Sequence, residues 1–202
     1  MILRFQAVQN MLPEGRARES LELAIDRAAV AITEGRDAIQ ALRGSGGNGN
    51  DLVQAMTSLG QELAAHHAAT EDGIPITFRV LVEGNPQQIR AALQDDLCRI
   101  ASEAIRNAFR HARASRIEVD VRYDKRMLRL RIRDDGVGMD PRFLKPDGRA
   151  GHWGLPGMRE RAASIGAQFD AWSHLNRGTE IEVTIPAFIA YCQSQDNDNP
   201  VT

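Results

Sequence analysis

Several segments of the chain alternate hydrophobic and polar residues. In Met127–Arg133, Leu128, Leu130 and Ile132 alternate with three arginines, a period of two that is typical of a half-buried strand. Three other segments repeat the pattern, with hydrophobic positions Ile76, Phe78, Val80 and Val82; Ile117, Val119 and Val121; and Ile181, Val183 and Ile185. A fifth strand is expected near 168–172. Because one face of each strand is polar, the pattern predicts a mixed or antiparallel sheet covered by helices on one side.

Segments with a helical period lie before and between these strands. One begins at about Asp51, a second runs from about Pro86 to Ala112, and a third from about Leu155 to Gly166. The second has an apolar stripe suited to the sheet, formed by Leu93, Leu97, Ile100, Ala101, Ala104, Ile105 and Ala108. The expected fold class is therefore α+β, a two-layer α/β sandwich with helices on one face of a mixed sheet.

The first 43 residues have a different pattern. Helices are expected at Ile2–Leu12 and Arg16–Leu42, separated by Pro13-Glu14-Gly15, and the longer helix has an apolar seam with heptad-like spacing. Such an α-helical hairpin can bury its seam by pairing with a second copy, as a homodimeric four-helix bundle. It can also pack on its own globular domain.

The glycine- and serine-rich segment 44–50 is typical of a flexible linker. The chain is therefore divided into a hairpin at 1–43, the linker at 44–50, a globular domain at 51–188 and a disordered polar tail at 189–202.

Composition narrows the classes of function. The 202 residues carry a formal net charge of −2, which gives no reason to expect a nucleic-acid partner. No apolar run reaches the roughly 18 residues of a membrane span, and the two cysteines fit neither a disulfide framework nor a metal site. We expect a cytoplasmic region without membrane contact. Because the chain opens directly in a helical pattern, it is interpreted as part of a longer protein, whose membrane attachment the sequence leaves open.

Candidate chemistry begins at the end of the strand Met127–Arg133. Asp134 is followed by two glycines, Gly136 and Gly138, which allow a ligand to come close to the backbone. A fixed carboxylate beside bare backbone suits a group that donates an N–H, such as an adenine amine. The alternative is an ordinary Asp-Gly turn at a strand end.

The second candidate lies on the long helix. Glu103 and Asn107 are four residues apart and share a face, which Arg110 and His111 extend by one turn. A carboxylate and an amide side by side offer oxygen ligands to Mg²⁺, and the basic pair could neutralise phosphate. The alternative is a solvated face with a Glu–Arg pair.

The third candidate is the glycine-rich segment that leads into the helix near Leu155. Gly154, Gly157 and Met158 lie around the start of that helix, where free N–H groups bind phosphate. Glycines on both sides are typical of a loop that rearranges as a lid. Further along, Gly178-Thr179 opens the last strand.

In this order, the motifs resemble the Bergerat-type ATP-binding domain of histidine kinases, type II topoisomerases, MutL and a chaperone family. The phrases Glu103–Ala112, Asp134–Met139 and Gly154–Arg161 are most similar to two-component sensor histidine kinases of the nitrate/nitrite-type subgroup. No P-loop motif is present. The resemblance covers about 51–186, and it implies the Bergerat fold preceded by part of a dimerisation hairpin.

The resemblance also implies roles for individual residues. Asn107 would hold Mg²⁺, Glu103 would act as the catalytic base or through a metal-bound water, and Asp134 would accept the adenine amine. The other nucleotide-contacting residues would be Arg110 and His111 beside the phosphates, Gly136 and Gly138 around the pocket, Gly154, Leu155, Gly157 and Met158 in the lid, and Thr179, bonded to adenine through water. The implied cofactors are ATP and Mg²⁺, and the implied partner is a response regulator.

The family's phosphoacceptor histidine is missing from the hairpin, because the histidines of the chain are His66, His67, His111, His152 and His174. We therefore expect Mg-ATP binding without self-phosphorylation. In the complete kinase the γ-phosphoryl would pass to a histidine and then to the response regulator. Two alternatives use the same pocket: an anti-sigma-type serine/threonine kinase, which the hairpin disfavours, and a non-catalytic module in which ATP orders the lid for a partner.

Overall fold

The computed structural model describes residues 50–69, 75–139 and 154–192. The helices in these ranges are α1 (Asn50–Ala68), α2 (Ala91–His111), α3 (Gly154–Ser164) and α4 (Ala187–Ala190). The strands are β1 (Thr77–Glu83), β2 (Arg116–Tyr123), β3 (Met127–Asp134), β4 (Gln168–Ser173) and β5 (Thr179–Pro186). The hairpin expected at 1–43, the linker up to residue 49 and the tail from residue 193 lie outside the described residues. None of these four helices is both long and apolar enough to cross a membrane.

The five strands form one mixed sheet in the order β1-β2-β3-β5-β4. β1 and β2 are parallel, whereas the pairs β2–β3, β3–β5 and β4–β5 are antiparallel. The expectation of an α+β fold with a mixed sheet is confirmed. The order also brings the end of β3 next to the start of β5, because Arg133 pairs with Glu180.

Alternation along the strands divides the sheet into an apolar face and a charged face. Leu128 and Leu130 on β3 are fully buried beneath the apolar stripe of α2, together with Ile100 and Ile105. The opposite face has ion pairs between neighbouring strands, such as Arg131 Nη2 with Asp120 Oδ2 at 3.2 Å. The sheet therefore has its core on the helix side.

The helix α2 begins at Ala91, and the expected start at Pro86 is wrong. Ile89 forms an antiparallel bridge with Tyr191, and Arg90 has an extended backbone with φ of −60° and ψ of 131°. Pairing with a segment a hundred residues away thus keeps the chain extended before the helix, which no local signal could reveal.

Residues 189–192 belong to the folded domain, so the expectation of a disordered tail from residue 189 is wrong for these four residues. α4 ends at Ala190, which is buried together with Tyr191. The Tyr191 hydroxyl donates to the carbonyl of Met127, and the Arg90 side chain donates to the carbonyls of Phe188 and Tyr191. These contacts attach the end of the described chain to the sheet and to the start of α2.

Candidate functional site

Asp134 ends β3 on the helix side of the sheet, and only 6% of the residue is exposed. Its Oδ1 accepts backbone hydrogen bonds from Gly136 at 3.0 Å and Thr179 at 3.2 Å. No hydrogen bond from the described residues reaches Oδ2. Burial raises the pKa of Asp134, and the bonds from Gly136 and Thr179 oppose that shift. The carboxylate is thus fixed by two segments of the chain, with one oxygen left for a donor on a ligand.

Gly136 and Gly138 fit closely against the protein's own backbone. A Cβ added to Gly136 would overlap the carbonyl oxygen of Ala112, and one added to Gly138 would overlap that of His174. Gly138 also has a φ of +62°, which residues with a side chain rarely adopt. The sequence predicts that these glycines bare the backbone to a ligand, but in the structure they allow the turn after Asp134 to pack between two other segments.

Asp135 anchors the same turn from outside, a role that sequence reasoning missed. Its carboxylate accepts hydrogen bonds from the backbone and hydroxyl of Ser115 at 2.8 and 2.7 Å, and from the backbone of Arg116 at 2.9 Å. Desolvation alone would raise the pKa of Asp135, but these hydrogen bonds outweigh it and the pKa is lowered. Asp135 therefore ties the start of β2 to the turn that carries Asp134.

Ser173 is a second residue that the sequence pattern does not single out. It ends β4, is 4% exposed, and pairs with Thr179 across the β4–β5 ladder. Its hydroxyl oxygen lies 3.0 Å from that of Thr179 and 2.8 Å from the backbone nitrogen of Met139. The strand register places this serine in the site, and a lone serine at the end of a short strand gives no sequence signal of such a role.

Glu103 and Asn107 lie on one face of α2, as their spacing predicts, and both are half-buried. The Asn107 side-chain nitrogen donates to Glu103 Oε1 at 3.2 Å. A carboxylate oxygen can only accept, so this bond fixes the amide and leaves Asn107 Oδ1 for a cation. Arg110 and His111 follow at the exposed end of the helix.

The start of α3 lies against this pair. A Cβ added to Gly154 would be 3.0 Å from Glu103 Oε1 and 3.1 Å from Asn107 Nδ2, whereas one on Gly157 would meet nothing within 4 Å. Leu155 is half-buried, and Met158 is 2% exposed as part of the hydrophobic core. The helix start and the Glu103–Asn107 pair therefore adjoin as a phosphate and metal site requires, although the side chain of Met158 is packed in the core.

An open cleft of about 200 Å³ lies at the strand ends, and Asp134, Ser173 and Thr179 are among its lining residues. Glu103 and Asn107 do not line it. The cleft therefore covers only the Asp134 end of the candidate site. Residues 140–153, which precede α3, lie outside the described residues. Among the described residues no three His, Cys, Asp or Glu side chains are grouped to hold a metal, so a cation at Asn107 would need ligands from a bound molecule and water.

Comparison with known proteins shows what the chain is similar to. Residues 92–189 match the family described as histidine kinase-, DNA gyrase B- and HSP90-like ATPase. The sensor histidine kinase LiaS of Bacillus subtilis is 38% identical over 100 residues, which are 50% of this chain and 27% of LiaS. The sensor protein VraS of Staphylococcus epidermidis is 35% identical over 113 residues, which are 55% of this chain and 31% of VraS. The chain thus spans about a third or less of the length of these relatives.

Solved structures agree in fold. The histidine kinase domain of the Erythrobacter litoralis blue-light-activated kinase EL346 has a TM-score of 0.55 at 17% identity, covering 92% of this chain and 94% of that one. The catalytic domain of the histidine kinase ThkA has a TM-score of 0.53 at 14% identity, covering 68% and 92%. The fold is the Bergerat-type fold of histidine kinase catalytic domains. The expected nitrate/nitrite subgroup is not supported, because the relatives are of the LiaS and VraS type.

Proposed function

We propose that the chain presents ATP for transfer of its γ-phosphoryl group to a histidine. The premise is that residues 92–189 form an ATP-binding catalytic domain of the histidine kinase type. The observation that carries the proposal is the buried Asp134 carboxylate. One of its oxygens accepts hydrogen bonds from two backbone N–H groups, and Asp134 is among the residues that line a cleft.

The adenine end of the proposed site is built on Asp134. Its Oδ2 would accept a hydrogen bond from the 6-amino group of ATP, and the Thr179 hydroxyl would contact the same group directly. A charge-assisted bond of this kind contributes about 1.5–3 kcal/mol. The rigid bonds from Gly136 and Thr179 to Oδ1 support this assignment, because they fix the acceptor before the ligand arrives.

The phosphate end is proposed at Glu103, Asn107 and the start of α3. The orientation of the Asn107 amide, with its oxygen left open, fits a Mg²⁺ ligand. When bound, Mg²⁺ would neutralise charge on the phosphates. Free N–H groups at the first turn of α3 and the basic pair Arg110 and His111 would bind the phosphate oxygens.

Catalysis in this proposal rests on positioning and charge neutralisation. Glu103 touches Asn107 directly and would orient it, and the same carboxylate can take the proton of an incoming imidazole. Residues 1–65 contain no histidine, so the acceptor histidine would be supplied by another polypeptide or by sequence outside these residues. The phosphorylated histidine would then serve a response regulator, the general partner of sensor histidine kinases, and the hairpin at 1–43 would form the dimer contact.

The test supplies the acceptor in trans. The full chain is incubated with γ-³²P-labelled ATP and a separately produced dimerisation domain of a sensor histidine kinase, chosen to contain an acceptor histidine. We expect acid-labile label on that domain only when both Mg²⁺ and the chain are present. Asn107→Leu, which keeps the side-chain size without the amide oxygen, should abolish transfer. A chain that binds no ATP would refute the proposal, and binding without transfer to any histidine domain would favour the nucleotide-gated module.

A further inference from the structure

The Ser173 hydroxyl lies at the centre of a hydrogen-bond cluster that joins three segments. Its oxygen is 2.8 Å from the backbone nitrogen of Met139, 2.9 Å from the carbonyl oxygen of Gly178 and 3.0 Å from the hydroxyl oxygen of Thr179. Ser173 is 4% exposed, so the protein itself supplies the partners of this hydroxyl.

The chemistry of these partners fixes the direction of each bond. A serine hydroxyl donates one proton and accepts up to two. The Gly178 carbonyl can only accept, so it must receive the Ser173 proton, and the Met139 N–H can only donate. The remaining contact therefore has to be a bond donated by the Thr179 hydroxyl to Ser173. With its proton engaged, the Thr179 oxygen offers only lone pairs to a ligand.

Asp134 presents the same polarity beside Thr179. Its Oδ1 accepts two backbone N–H groups, one of them from Thr179, and the ionised carboxylate has no proton to donate from Oδ2. The side chains of Asp134 and Thr179 are thus both acceptors. A 6-aminopurine presents an N–H donor at position 6, whereas a 6-oxopurine presents an acceptor there.

We propose that Ser173 is a positioning residue for base specificity: by accepting the Thr179 proton, it keeps the Thr179 hydroxyl an acceptor and makes the site select 6-amino over 6-oxo purine nucleotides. The proposal rests on the proposed nucleotide-binding function and adds a residue that touches no base itself. Without Ser173, the Thr179 hydroxyl can rotate and donate its proton to a 6-oxo group.

The experiment compares Mg-ATP with Mg-inosine triphosphate, which has the 6-oxo group and lacks the 2-amino group of guanine. Both dissociation constants are measured by calorimetry for the full chain and for Ser173→Ala. One neutral hydrogen bond corresponds to roughly a 3- to 10-fold effect. In Ser173→Ala we expect the dissociation constant of ATP to rise by this factor and that of inosine triphosphate to stay the same or fall. The ratio of the inosine triphosphate constant to the ATP constant therefore narrows. Equal weakening of both nucleotides would overturn the proposal, because a purely structural serine affects both alike.

Control variants separate this route from general damage. Ser164→Ala removes another hydroxyl that donates to a carbonyl, that of Arg161 at 2.8 Å on the exposed side of α3, and should leave the ratio unchanged. Thr179→Val keeps the backbone bond to Asp134 and should narrow the ratio even if Ser173→Ala fails to fold. In the Thr179→Val background, Ser173→Ala should narrow the ratio no further, and an additional narrowing would contradict the proposal. A wild-type chain that binds neither nucleotide would instead refute the nucleotide site as a whole.

Discussion

Asp134→Asn is the most informative single change in this protein. The amide has almost the shape of the carboxylate, and its oxygen can keep both backbone bonds that Oδ1 accepts from Gly136 and Thr179. Those two N–H groups require an acceptor, so they hold the amide oxygen at that position. The amide nitrogen must then take the place of Oδ2, where it presents a donor to the adenine amine.

The size of the effect follows from this arrangement. Loss of a charge-assisted hydrogen bond costs about 1.5–3 kcal/mol, which is roughly a 10- to 150-fold increase in the ATP dissociation constant. Two donors facing each other add to that loss. The fold should be retained, because the amide keeps both backbone bonds and removes a partly desolvated charge.

The assay is calorimetry with Mg-ATP, accompanied by thermal unfolding of each variant. Asp170→Asn is the matched control: it changes the net charge equally, lies on the charged face of β4 and, among the described residues, accepts only a local bond from Gln168. Asp170→Asn should bind ATP as the wild type does. A folded Asp134→Asn chain with wild-type ATP affinity would refute the adenine assignment.

The pH dependence supplies an independent check on the same carboxylate. Because burial raises the pKa of Asp134, the acceptor is lost at a higher pH than the value of about 3.9 of an ordinary aspartate. ATP affinity should therefore fall as pH decreases toward that value from above, and Asp134→Asn should lack this component. The effect on stability has the opposite sign, since a carboxyl with a raised folded-state pKa destabilises the fold increasingly as pH rises through that pKa. At neutral pH the variant should thus be at least as stable as the wild type.

Three further predictions concern residues around this site. Asp135→Ala should lower the free energy of unfolding by about 1 kcal/mol. Because the folded-state pKa of Asp135 is lowered, urea titrations should show this loss at neutral pH and no loss in strong acid. An equal loss at the two pH values would contradict the role of the Asp135 carboxylate in the turn. Gly138→Ala should destabilise the domain by more than about 1 kcal/mol because Gly138 has a positive φ. Gly157→Ala has open space around the added methyl group and should stabilise α3 by about 0.5–1 kcal/mol. Thermal unfolding of the two variants tests this contrast. Asn107→Leu should remove the difference between ATP affinities measured with and without Mg²⁺, and an unchanged Mg²⁺ dependence would exclude Asn107 as a ligand.

The sequence predicts the strands and the main helices because burial imposes a period on each of them. β3 could be assigned from Leu128, Leu130 and Ile132, whose alternation records which face is covered. The parallel pairing of β1 with β2 leaves no such trace, and neither does the bridge between Ile89 and Tyr191 that delays α2. Both depend on contacts between distant segments, and local periodicity contains no information about partners.

The same limit explains which site residues could be predicted. Glu103 and Asn107 share a face through helical spacing alone, so the sequence was sufficient to bring them together. Ser173 enters the site only because β4 pairs with β5 in a register that sets it opposite Thr179. Asp135 acts through Ser115 and Arg116, at the start of another strand. Residues whose function depends on strand pairing could not be found from spacing.

The bond from Thr179 to Asp134 has a consequence for the order of folding. It connects residues 45 positions apart in the chain, so the pocket cannot form until β5 has paired with β3. A slip of one residue in that pairing would turn Thr179 to the opposite face of the sheet and remove the bond. A nucleotide that binds at Asp134 is therefore expected to recognise only the correctly registered sheet. At a concentration about one hundred times its dissociation constant, such a ligand would stabilise that register by about 2.7 kcal/mol.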